Sequence, residues 1–149
     1  MKKVELILAS IALLAFGLKL LSVTGGSILT VLSLSALAII YFVLTFAIAD
    51  NIKVAYIFNK SSYAQSKFIR ILGAIFLGFG LSITLIGILF KVQHWPGANE
   101  NLNVGLISIA VIGIIALLKY AQKGLLFYKN ILLRIGVIGA VGIIALLTN

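Results

Sequence analysis

Leu89-Phe90-Lys91-Val92-Gln93-His94-Trp95-Pro96-Gly97-Ala98 holds the only Trp, the only Pro and the only His of a 149-residue chain, and it separates two long apolar runs. Pro at the second position of Trp95-Pro96-Gly97-Ala98 presets φ, and Gly at the third accepts φ > 0, which together specify a type II turn. Trp95 supplies an amphipathic ring and Lys91 a long stem that carries its charge to water, as suits helix ends at headgroup level. The stretch reads as a sharp polar corner where one membrane helix ends and the next begins.

Composition extends that reading to the whole chain. Hydrophobic residues make up 62% and charged residues 10%, against about 25% charged in a soluble domain. The class is an all-α, polytopic membrane protein of one domain. The absence of Cys excludes disulfides, thiolate metal sites and a Cys-linked lipid anchor. The net charge of +9 is spread between apolar segments, which fits the positive-inside rule and not a nucleic-acid surface.

Taken in order, Val4 to Leu21 is an apolar run interrupted by Glu5 and Lys19. It is too long for a signal-peptide core, and no A-x-A site follows, so it is expected to be a retained helix. Residues 22–27 form a turn in which Ser27 is placed to cap a second span that reaches Ala49. Residues 50–70 are a basic connection with Lys53, Lys60, Lys67 and Arg70, its aromatics Tyr56, Phe58 and Tyr63 suited to the interface. A third span leads to the corner. Asn99, Asn101 and Asn103 then offer cap oxygens, with Glu100 beside them, for a fourth helix over roughly residues 102–118. Residues 119–134 form a second basic connection, with Lys119, Lys123, Lys129 and Arg134. Residues 135–149 hold a C-terminal helix, which crosses the bilayer only if Arg134 snorkels and the helix starts nearer Leu125, and otherwise lies in the interface. Five spans are expected, with the N-terminus and both basic connections in the cytoplasm and both tight turns outside.

A shift of 72 residues lays Lys19 over Lys91, Gly25 over Gly97, Gly26 over Ala98 and Ser27 over Asn99. Residues 4–49 and 71–118 then read as two hairpin copies running parallel, related by an axis along the membrane normal. Small residues recur on the helices: Gly73, Gly80 and Gly87 at intervals of seven, Gly78 beside them, and Gly136, Gly139 and Gly142 at intervals of three. Such stripes let backbones approach closely, either within one chain or between this chain and other membrane proteins, a second copy included.

The chemistry-bearing residues are few. Glu5, Asp50 and Glu100 all fall at expected helix ends, leaving no acid at mid-membrane depth. His94 lacks second and third ligands for a metal, so it reads with Trp95, Pro96 and Gly97 as part of a structural turn. No phosphate-binding loop, nucleophile elbow or cofactor motif is present. Lys19 and Lys91 read as snorkelling anchors, with anion binding the sharper alternative. A scaffold or accessory subunit is the first reading of function. The second is a small transporter or channel, whose path only Ser33, Ser35, Tyr41, Thr45, Ser82, Thr84 and Ser108 could line.

The core Phe-Lys-x-x-His-Trp-Pro-Gly-Ala of residues 90–98 resembles the turn between the two membrane helices of GldL, the inner-membrane subunit of the gliding-motility and type IX secretion motor. The resemblance covers about residues 87–116 and implies an inner-membrane hairpin associated with that machinery. The N-terminal hairpin looks like a degenerate version of it. GldL also carries a Glu in its second helix, linked to proton use, and a long cytoplasmic region after it. The matching place here is near Ile109, in the acid-free run 104–118, and nothing here corresponds to the cytoplasmic region.

Overall fold

A computed structural model describes residues 2–49 and 68–147. They form five helices: α1 (Lys2–Leu20), α2 (Gly26–Ala49), α3 (Phe68–Gln93), α4 (Ala98–Lys123) and α5 (Leu126–Leu147). Most of the 50–70 connection, including Tyr56, Phe58 and Tyr63, lies outside the described residues; only its last three positions are seen, as the start of α3.

Four of these helices, α2, α3, α4 and α5, are long and apolar enough to cross a membrane. The expectation of five spans is altered at an unforeseen place. The last helix is a full 22 residues, whereas any 18-residue stretch of α1 contains Lys3, Glu5 and Lys19. Residues 119–134 are also not a connection. Gly124 in the left-handed region (φ 59) ends α4, its N–H donating to Tyr120 O at 2.7 Å, and the chain turns within two residues. Lys119, Lys123, Lys129 and Arg134 therefore all lie on helices.

Helix starts differ from expectation for one reason, the two turn glycines. Gly97 (φ 81) occupies the N-cap of α4, with no side-chain cap. The helix then starts at Ala98, and the asparagines lie inside it. Asn101 Nδ2 donates back to Gly97 O at 3.0 Å, and Asn99 Oδ1 accepts from Lys91 Nζ at 3.0 Å. Gly25 (φ 90) does the same for α2, so Ser27 lies within that helix and not at its cap.

The centre of the bundle is α3, which packs on α2, α4 and α5 and buries Ala74, Leu77, Leu81, Leu85, Ile88 and Leu89. Along the α3–α4 seam, Gly87 meets the backbone of Leu102, Gly80 meets Ile109, and Gly105 meets the backbone of Thr84. Gly78 faces the other way, onto Tyr41 O and Thr45 of α2, while Gly139 faces Ile109 and Gly142 faces Thr84 and Leu106. Gly73 and Gly136 meet nothing. Each stripe read from the sequence is thus divided between packed and open glycines.

Candidate functional site

Two polar knots hold the apolar bundle, one at each end. At one end the two hairpin tips adopt the same backbone. In the second hairpin, Trp95 N donates to Phe90 O and His94 N to Lys91 O, at 2.8 and 3.1 Å. In the first, Val23 N donates to Leu18 O and Ser22 N to Lys19 O, at 3.0 and 2.9 Å. This is the paired bonding of a Schellman helix end, repeated at an offset of 72 residues. Ser22 (φ 55) and His94 (φ 56) occupy the left-handed position, where glycine is usual. Gly25 and Gly97 follow at the same offset, and after them Leu29 N→Gly25 O and Asn101 N→Gly97 O, at 3.0 and 3.1 Å.

Side chains then tie tip to tip. Lys19 Nζ donates to Val92 O and to Gln93 Oε1 at 2.9 Å; Gln93 Nε2 donates to Ser27 O at 3.0 Å. Lys91 instead braces its own hairpin through Asn99. Trp95 sets its edge on Phe90, centroids 5.4 Å apart, and stays 44% exposed. Pro96 and Gly97 make the corner as the turn chemistry requires: φ 81, ψ 8 at Gly97 are the angles of a type II third position.

The knot at the opposite end was missed from sequence. Arg134 of α5 grips Glu5 of α1 side-on, Nε to Oε1 and Nη2 to Oε2, both at 2.6 Å. Tyr41 of α2 donates its hydroxyl to the same Glu5 Oε1 at 2.5 Å. Arg134 Nη1 donates to Asn130 O at 2.8 Å. The paired side chains are only 10% and 13% exposed. Arg134 is the ninth residue of α5, about 12 Å along it at ~1.5 Å per residue. The Arg134 head thus ends on a carboxylate within the bundle, and Glu5, read from sequence only as a helix-end acid, is its partner. An unpaired Arg at the centre of a span costs about 3 kcal/mol, while a bidentate pair with a hydroxyl on the carboxylate satisfies both charges. A usable signal was present: Glu5 and Arg134 are opposite charges set inside apolar runs, and each is easier to bury with the other. Nearby, the Arg70 guanidinium of α3 lies 4.5 Å from the centre of the Phe127 ring of α5.

The described residues contain no group of three or more His, Cys, Asp or Glu able to hold a metal. Five of the seven hydroxyls considered for a polar path are turned onto their own helices, while Tyr41 donates to Glu5 of α1. Ser33 donates to Leu29 O, Thr84 to Gly80 O, Ser108 to Val104 O and Ser82 to Phe79 O, at 2.7, 2.8, 2.7 and 3.0 Å, and Thr45 donates to Tyr41 O.

No curated protein and no solved structure matches the chain. Residues 76–131 match the GldL N-terminal domain family, a segment that runs from α3 through the Trp-Pro-Gly corner and α4 into the first turn of α5. This part of the chain, corner included, is GldL-like.

Proposed function

We propose that the protein is a non-enzymatic accessory or scaffold subunit of the inner membrane, associated with gliding-motility and type IX secretion machinery. The match of residues 76–131 to the GldL N-terminal domain carries this reading. The hydroxyl geometry supports it over a transporter. Ser33, Thr45, Ser82, Thr84 and Ser108 satisfy their donors on carbonyls three or four residues back, a helix-packing use that lines no polar route. In this reading the N-terminus is cytoplasmic: among the described residues Lys3, Lys119 and Lys129 lie toward one end of the bundle and Lys19, Lys91 and Glu100 toward the other, the asymmetry expected of a basic cytoplasmic face. Partners meet the lipid-exposed faces and the outer corner, where Trp95 and the open glycines Gly73 and Gly136 leave room for contact.

The deciding experiment is affinity purification of the tagged full chain from native membranes after mild cross-linking. Recovery of gliding or secretion subunits is expected, and a Gly97→Val chain should recover fewer. Recovery of the intact chain alone would overturn the reading. The topology is checked with single Cys substitutions at Asn99 and Gln122, which should label from opposite faces.

A further inference from the structure

We propose that the Glu5–Arg134 pair seats α1 in the bilayer, making α1 a fifth span only as the partner of α5. α1 differs from the other four helices in its charge. Its 19 residues carry Lys2, Lys3, Glu5 and Lys19, so it is not among the helices apolar enough to cross alone. Its inward stripe is Glu5, Leu8, Ala12, Ala15 and Lys19, spaced three and four apart as one helical face requires. Of these only Ala12 and Ala15 are buried hydrophobics, and alanine methyls bring little dispersion to a membrane interface, where no hydrophobic drive separates helix from lipid. Polar ties close the stripe at both ends, Glu5 onto α2 and α5 and Lys19 onto α3.

The second hairpin is an internal control. At the 72-residue offset the same stripe reads Leu77, Gly80, Thr84, Gly87 and Lys91. Leu77, fully buried, stands where α1 has Glu5, so at this level that helix packs through an apolar side chain. A carboxylate at this position makes α1 depend on a guanidinium 129 residues further along the chain. Among the described helices, α1 is thus completed by α5.

The test uses the full chain in native membranes. The chain has no Cys of its own, so a single Leu14→Cys, in the interior of α1 and 68% exposed, reports whether α1 lies in hydrocarbon. Ile107→Cys on α4, 66% exposed, is the matched control in a separate chain. Each is treated with a charged, membrane-impermeant maleimide in right-side-out and inverted vesicles. Both should be protected in the otherwise natural chain. Glu5→Gln or Arg134→Gln should raise labelling of Leu14→Cys on the order of tenfold, the shift of a seated helix to an unseated one, and leave Ile107→Cys protected. The exchange Glu5→Arg with Arg134→Glu should restore protection. Four results would overturn the proposal: labelling of Leu14→Cys without further change, continued protection in both single variants, equal loss of protection at Ile107→Cys, or failure of the exchange to restore it.

Discussion

The two hairpins share a tip and differ in how their helices are held. Ser22 and His94 sit in the left-handed region within 1° of each other in φ, and Gly25 and Gly97 within 9°. Below the tip the α3–α4 seam closes by contact: Gly80, Gly87 and Gly105 bring backbone against backbone or side chain. In the α1–α2 seam the places of Gly87 and Gly105 are taken by Ala15 and Ser33, both buried and both carrying a Cβ. The first hairpin then leans on neighbours, through Glu5 to α5 and Lys19 to α3. Turn geometry and helix packing are therefore separable: a few residues specify the corner, while the seam below it is closed either by small residues or by charge.

The largest effect should come from breaking the charge-closed seam on one side only. Arg134→Ala leaves the Glu5 carboxylate, 13% exposed in the intact pair, with Tyr41 as its donor, and removal of one partner of a buried pair costs about 3–5 kcal/mol. Glu5→Leu with Arg134→Leu imitates Leu77 of the second hairpin and should recover most of that loss, since apolar replacement of a whole buried pair is often neutral or better. Thermal unfolding in detergent measures both. A double variant as unstable as the single would break the analogy between Glu5 and Leu77.

Next is the contact-closed seam. A Cβ on Gly105 would lie 2.5, 2.7 and 2.8 Å from Thr84 Oγ1, N and Cα, and backbone cannot rotate away. Gly105→Ala should cost about 1–3 kcal/mol as overpacking. Its counterpart Ser33→Ala should fall within about 0.5 kcal/mol of the parent, because Ser33 bonds its own helix. If the two changes cost the same, the seams are alike after all.

The corner and the helical class were legible because their causes are local. Pro presets φ, Gly takes φ > 0, and apolar runs of twenty residues fold as helices in lipid. The GldL-like motif at residues 90–98 was legible for the same reason. Glu5–Arg134 was not, because its cause is a contact across 129 residues, and a charge near a helix end looks the same whether it reaches water or a partner. Lys19 was half legible: its place at the tip could be read, but its acceptor is Val92 O of the other hairpin. The basic residues of 119–134 were misplaced because a lone Gly124 closes a helical connection as well as a longer polar loop does.

At the tip itself a matched pair, Gly25→Val and Gly97→Val, should each cost about 1–2 kcal/mol, the penalty of holding an L side chain in the left-handed region. Both glycines have φ near 80–90°. Space is not the obstacle, since a Cβ on Gly97 meets only Asn101 Nδ2 at 3.9 Å and one on Gly25 meets nothing. Unequal losses, read as midpoint shifts in the same detergent, would show that the two corners carry different loads despite their shared backbone.

The smallest effect runs in the favourable direction. His94 and Ser22 hold φ of 56 and 55 at the helix-end position that glycine occupies without strain. Replacement by Gly removes a penalty of about 1–2 kcal/mol and returns part of it through the greater freedom of an unfolded glycine. A net gain of about 0.5–1 kcal/mol is expected at each site, seen as a small rise in unfolding midpoint. His94→Gln exchanges one strained side chain for another of similar reach and should move the midpoint by less than about 0.5 kcal/mol. The sharper reading of the corner lies in how stability and phenotype divide. A structural His94 predicts that His94→Gly is slightly more stable and retains its partners in the purification experiment. If His94→Gly stabilises the chain and yet loses those partners while Ser22→Gly keeps them, the imidazole is a contact surface. The strain at position 94 would then be the cost of presenting it beside Trp95 at the hairpin tip.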